Sequence, residues 1–471
     1  MKKFFVFLVA GATLTFTACS DDDEGGLEIP AIADFDGDGI ADSEDNCDSN
    51  ANPNQEDADG DGIGDACDPT PNGGAPQAGS IVQVSTNITT DTTWEADFIY
   101  QLNGRIAVES GVTLTIEAGT LIKGSAGQGV NASALLVARG ATLNANGTAA
   151  DPIIMTSTAD NITIGQTTSP NLTSNDSGLW GGLIILGAAP ISVADNSGTA
   201  QIEGIPASDA NGNYGGNVAD DNSGSIRYVS VRHGGTNIGD GNEINGVTLG
   251  GVGSGTTFEF IEVVANVDDG IEFFGGTVNG SNLIVWAQGD DAIDIDQAYS
   301  GTITNVVVVQ GGVSDHAFEI DGPEGNATGE YTITDATLFG LDDSVEDGEI
   351  ADYRSRASGA NNNVFVTGFT GVGPDLQISD VELDAGDDND VTFVSDNFVA
   401  GTLSFDSWEV VLPTGVANVA DIFSERLDPN ITTFGAAGFA TAVTSGMETV
   451  GADTSVFEGW TVTAAQSTPF Q

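Results

Sequence analysis

The sequence predicts an all-β chain. A long C-terminal domain (80–471) winds as a single-stranded, right-handed parallel β-helix, preceded by a small acidic loop module (34–69). Three observations predict this. From residue 80 onward the chain is rich in Val, Ile, Thr, Asn and Gly and breaks into short strand-like runs, such as Arg105–Gly124 and Trp180–Gly187. Segments starting at Ala265, Ala287 and Val313 align, and Asp268 to Asp290, like Asn266 to Gln288 to Gln310, recur at 22 residues. That period suits one coil of a parallel β-helix and is too short for a propeller blade of about 40. Between Asp34 and Asp68, by contrast, stand 13 carboxylates and no Lys or Arg, a density that no apolar core absorbs.

At the N-terminus, Lys2 and Lys3 precede an apolar run from Phe4 to Ala18. It is too short to span a bilayer and has the shape of a signal peptide. The run ends in Thr-Ala-Cys, which resembles a lipoprotein processing site. Residues 1–18 therefore read as a lipoprotein signal peptide and Cys19 as the lipidated first residue of the mature chain. An acidic tether (19–33) follows, and its Ser20–Glu24 run resembles the sorting signal of surface lipoproteins. The expected location is the outer membrane, lipid-anchored and facing outward. A net charge of −60 repels nucleic acid and anionic headgroups and favours cations, so nucleic-acid binding is excluded.

The acidic module writes one loop twice, DFDGDGIADSEDNC and DADGDGIGDACD. Acidic side chains recur at every second position around a Gly, a spacing that wraps a short loop around one hard cation and offers the oxygen ligands Ca²⁺ takes. Asp34, Asp36, Asp38, Asp42 and Asp45 serve the first loop, and Asp57, Asp59, Asp61 and Asp65 the second. With Asp45–Cys47, Asn52–Gln55 and Gly64–Asp68 in place, the segment resembles a pair of thrombospondin type 3 repeats. The resemblance implies calcium-dependent folding around little core and a disulfide joining the loops, Cys47 to Cys67. No thiol then remains for catalysis. A Pro/Gly-rich linker (70–79) separates this module from the β-helix.

Within the β-helix, alternation assigns faces. Ile271, Phe273, Ile293, Ile295, Phe318 and Ile320 point inward, and Glu272, Asp294, Asp296, Glu319 and Asp321 point outward. Stacked coils lie about 4.8 Å apart, so Glu272, Asp294 and Glu319 form a column with Asp296 and Asp321 beside it. Like charges at that spacing cost on the order of 1 kcal/mol each near a wet surface. Either a cation bridges them or some hold protons. Asn266, Gln288 and Gln310 are expected to stack as an amide ladder. Trp286 reads as core, while Trp180 and Tyr214 flank Gly-rich loops where a sugar ring could stack. The last 65 residues lose the period and are expected to cap the open end.

The turns before the acidic strands carry the remaining chemistry. Asp268-Asp269-Gly270, Gly289-Asp290-Asp291 and Asp315-His316 fall on successive coils, with Arg354-x-Arg356 farther on. Their order resembles the polygalacturonase-type glycoside hydrolases, pectin-lyase-like β-helices with NTD, DD, GH and R-x-K motifs. Val267-Asp268 stands here in place of Asn-Thr, Asp315 and Ala317 in place of glycines, and Arg356 in place of Lys. The resemblance implies Asp290 as general acid, Asp269 and Asp291 activating a water for inversion, and His316, Arg354 and Arg356 binding substrate. Two function classes result. One is a binding or adhesion scaffold toward glycans or other surface proteins. The other is an inverting glycoside hydrolase, or a polysaccharide lyase with an arginine base beside Ca²⁺. Geometry separates them: convergence in an open groove favours the enzyme, and turn-capping favours the scaffold.

Overall fold

The computed structural model describes residues 34–42, 45–47, 49–58, 63–68, 78–127, 129, 132–239, 242–341, 349–369, 381–383, 393–425 and 434–470. Cys19, the Ser20–Glu24 run and the loop residues Asp59 and Asp61 lie outside them. The chain divides into two compact units, Met1–Ala75 and Pro76–Gln471.

The larger unit is a right-handed parallel β-helix. Its front sheet runs from Arg105–Val108 through Ala134–Val137, Leu183–Leu186, Val247–Gly250, Ile271–Phe274 and Ile293–Asp296, then His316–Ile320, Glu349–Tyr353 and Val381–Leu383, to Phe423–Glu425. Every pairing in it is parallel, as one strand per coil requires. The inward columns are apolar and buried: Val247–Ile271–Ile293–Phe318–Ala351 and Leu249–Phe273–Ile295–Ile320–Tyr353. These are the inward residues that alternation predicts. The repeat, however, is not a strict 22. Ile271 pairs with Ile293, but Ile293 pairs with Phe318 and Phe318 with Ala351, because the intervening turns lengthen.

The back sheet contains six long strands, among them Asn279–Trp286, Thr302–Val309, Tyr331–Phe339 and Gly359–Thr367. Each turns a corner at one left-handed residue: Tyr228, Phe260, Asn282, Asn305, Asp335 and Asn363, with φ between 49° and 60°. The corners stack in register, and each stack recovers some of the backbone strain. The Tyr228 and Phe260 rings lie 4.2 Å apart and nearly parallel. Asn305 Nδ2 donates to Asn282 Oδ1 at 2.8 Å, and Asn363 Nδ2 to Asp335 Oδ1 at 2.9 Å. Asn and Asp tolerate this region best, which explains their place at the corners. The expected amide ladder is shorter. Gln288 Nε2 donates to Gln310 Oε1 at 3.0 Å, whereas the Asn266 amide turns onto Asp269 O.

The tertiary structure extends one expectation and departs from two. The C-terminal region does more than cap: Phe398, Phe405, Trp408, Phe423, Phe434 and Phe439 close the end of the lumen as an aromatic cluster. Residues 454–470 instead run along the outside of the back sheet, where Phe457 and Trp460 cover Ile284, Val307 and Val309. Trp286 is half-buried on that outer surface, not in the lumen. Trp180 and Tyr214 are fully buried, with Trp180 Nε1 bonded to Arg232 O and Tyr214 Oη to Gln297 Oε1. They present no face to a sugar.

The C-terminal run is pinned by a buried ion pair. Glu262 accepts from both the backbone and hydroxyl of Thr463 at 2.8 Å, and its other oxygen takes Ser230 Oγ and Arg232 Nη2. Glu262→Ala is expected to cost about 3–5 kcal/mol by leaving Arg232 buried and unpaired. Chemical denaturation checks the loss, and faster proteolytic cleavage within 454–470 checks that the run has been released.

Candidate functional site

In the N-terminal unit the loop aspartates first organise backbone. Asp34 accepts from Gly37 and Gly39 N–H, Asp38 from Ile40 and Asn52 N–H, and Asp45 from Cys47 N–H and the Gln55 amide. Asp42 accepts from Phe35 N–H at 2.8 Å, and Asp65 accepts from Ala58 N–H at 2.6 Å. These two bonds are equivalent, each closing seven residues, so the written repeat is also a geometric one. Cys47 and Cys67 form the disulfide between the loops. Asp34, Asp36 and Asp38 bring carboxylate oxygens within 4.8 Å of one another. Asp36 Oδ2 is buried there with no hydrogen-bond partner among the described residues. An acceptor-only pocket with an unsatisfied buried oxygen suits a hard cation.

On the β-helix the predicted column forms and is longer than expected. Glu272 pairs with Asp294, Asp294 with Glu319, Glu319 with Asp352 and Asp352 with Glu382. The same outward column begins as Ala107, Leu136 and Ile184, passes through Thr248, and ends at Ser424. One face of one sheet thus changes from apolar to acidic midway. Asp352 and Glu382 escaped sequence reading because the lengthened coils hide the period, although EIADY and VEL keep the apolar–acid–apolar alternation.

This column is outward from the lumen yet buried, which overturns the picture of a solvated face. Glu272, Asp294, Asp352 and Glu382 are all less than a tenth exposed. Beside the column, residues 187–216 and 321–330 reach over the sheet: Gln297 Nε2 donates to Glu324 Oε1, and Ala194 N–H to Glu324 Oε2. Burial, then the charges of neighbouring carboxylates, lifts Asp269, Glu272 and Asp294 well above the usual carboxylate range. Burial, then Asp321 and Glu324, pushes Asp296 up to about 8.

The turn residues converge on the same end of the sheet. Oxygens of Asp268, Asp269 and Asp290 lie within 4.8 Å of one another, as do those of Asp269, Glu272 and Asp294. Two of them cap turns in succession. Asp269 Oδ1 accepts Asp291 N–H at 3.0 Å, and Asp291 Oδ1 accepts His316 N–H at 2.8 Å. His316 Nδ1 lies 2.8 Å from that same Asp291 oxygen. Burial disfavours the imidazolium, but the Asp291 bond and charge outweigh it and raise His316 to about 10. Arg354 meets Glu319 at 2.6 Å and Asp321 at 2.7 Å, with Asp352 at 3.8 Å. Asp321 also takes the Ser355 hydroxyl. Arg356 donates to Pro323 O.

A parallel β-helix whose front sheet carries its polar site is the observation that meets the sequence comparison: residues 86–409 match the model of the pectate-lyase-like beta helix domain. The chain belongs to the pectate-lyase-like beta helix family. In the N-terminal unit, residues 33–55 match the thrombospondin type 3 repeat. No curated protein and no solved structure matches the chain. In this member of the family most of the acidic column is covered interior.

The raised carboxyls set the sign of a pH dependence. Unfolded, they titrate near 4, so above that pH the folded chain holds more protons than the unfolded one and loses stability as pH rises. Raised His316 acts in the same direction, being lost toward about 10. In chelated buffer the β-helix is expected to melt lower at pH 8.5 than at pH 5.5. Glu272→Gln should recover on the order of 1 kcal/mol at pH 8.5 and little at pH 5.5. Thermal melts of both proteins across pH check this. Separately, EDTA is expected to loosen residues 34–68 without melting the β-helix, as hydrogen exchange would report. Loss of both together would show that calcium is integral to one folding unit.

Proposed function

We propose that the protein is a lipid-anchored, calcium-binding cell-surface scaffold, whose β-helix binds glycans or neighbouring surfaces. Cys19 supplies the membrane anchor, and the Ca²⁺-organised loops stiffen the stretch that follows it. The observation that carries this reading is the use made of the would-be catalytic groups. Asp269 and Asp291 are buried turn caps, His316 is held by Asp291, and Arg354 is clamped by carboxylates.

The acidic column supports cation binding as part of the same role. Glu272, Asp294, Asp296, Glu319 and Asp321 crowd negative charge that only Arg354 and His316 partly offset among the described residues. A divalent cation at Asp269, Glu272 and Asp294 would satisfy three buried carboxylates at once.

A second reading, hydrolase or lyase, draws on the convergence of Asp268, Asp269 and Asp290 at the front-sheet turns. A lyase base must shed a proton; burial disfavours the charged Arg354, but Asp321, Glu319 and Asp352 outweigh it and hold the proton more tightly, against that role. Reducing-sugar release on a polysaccharide panel tests the choice. The scaffold reading expects no release above the blank. Release by the wild type that falls 100-fold or more in Asp290→Asn would overturn it in favour of general acid catalysis.

A further inference from the structure

A cleft of about 900 Å³ opens on the opposite side of the turns, between the back sheet and the C-terminal run. Its floor is one outward column, Trp286–Val309–Phe339–Thr367, read directly from the strand register. Trp286 and Phe339 are two coils apart, about 10 Å at the usual strand spacing. Glycine turns form one side, with Gly311, Gly312 and Gly340 keeping the backbone low. The other side is the run Gln466–Pro469, where Ser467 Oγ sits buried with no hydrogen-bond partner among the described residues.

Two features of this cleft point to one ligand chemistry. In a chain of net charge −60, none of the described residues lining it is ionisable. What lines it is half-buried aromatic surface edged by side-chain amides and hydroxyls, including Asn175, Gln466 and Thr468. The volume falls in the range of sites that enclose a small ligand. We infer that this cleft binds an uncharged oligosaccharide, laid along the helix axis with alternate sugar rings over Trp286 and Phe339. The column spacing is close to the repeat of two hexoses in an extended β-linked chain. An anionic chain would gain no cationic partner from the described lining and would lose hydration. A neutral one gives its hydroxyls to the amides and its apolar ring face to the aromatics.

The inference rests on the scaffold reading and locates its glycan site, away from the carboxylates of the front sheet. Titration calorimetry of the whole mature chain against cellohexaose and laminarihexaose tests it, with hexagalacturonate and Ca²⁺ as the charged control. Binding of a neutral hexasaccharide is expected. It should weaken about 10-fold in Trp286→Ala and measurably in the surface variant Gln466→Ala, while staying unchanged in Asp290→Asn and in EDTA. Circular dichroism confirms that each variant is folded, and Gln466→Ala serves if Trp286→Ala is not. Neutral binding that survives both substitutions overturns the cleft and leaves the scaffold reading standing. Binding of hexagalacturonate alone does the same. No binding by any of these sugars overturns the cleft, and no binding to a wider glycan and surface panel overturns the scaffold reading as well.

Discussion

Parallel stacking in register is the constraint on which the rest of this molecule depends. Each coil sets its residues directly over their counterparts about 4.8 Å below, so every side chain faces a near-copy of its own position. Apolar columns then become core without further design. Amides satisfy one another, as Gln288 does with Gln310 and Asn282 with Asn305. Aromatic residues at left-handed corners stack, as Tyr228 does on Phe260. The one chemistry that stacking punishes is like charge, and the front sheet stacks it five deep from Glu272 to Glu382.

That column survives because several devices offset it. Arg354 sits among Glu319, Asp321 and Asp352, and His316 beside Asp291 and Asp315. Asn245 reaches Glu272, and raised carboxyl pKa values let part of the column hold protons. Each device removes a group from the pool available for chemistry. A turn-capping aspartate aimed at a backbone N–H is poorly placed to take a proton from a water, and an arginine among carboxylates is poorly placed to accept one. The acidic loops of the N-terminal unit solve the same problem differently. Their carboxylates bind backbone N–H groups first and leave Asp36 Oδ2 over, consistent with a cation completing the fold.

Much of this was legible in the chain. Strict alternation around Ile271–Phe274 and Ile293–Asp296 gave the inward and outward sides, and the doubled loop gave two equivalent turns, whose seven-residue closures at Asp42 and Asp65 only the structure shows. The corner column was missed because its members, Tyr228, Phe260, Asn282, Asn305, Asp335 and Asn363, share a backbone conformation and not a residue type. Asp352 and Glu382 were missed because the lengthened turns move the coil out of phase in sequence but not in space. Trp180 and Tyr214 stayed open and Trp286 was read as core because a lone aromatic among apolar residues carries no sign of which surface it faces.

By itself, the sequence determined the parallel β-helix, its lumen, the disulfide-joined acidic loops and the existence of a carboxylate column. The helix, its lumen and the column are consequences of local periodicity and spacing, and the disulfide between the loops is what the thrombospondin type 3 resemblance implies. Only the tertiary structure decided that the column is covered, that Arg354 pairs with it, and that the C-terminal run folds along the back sheet to wall a cleft. Burial and pairing of that kind depend on which distant segments arrive over a given face. In a solenoid, these are the irregular turns and the terminus, where no repeat fixes the path.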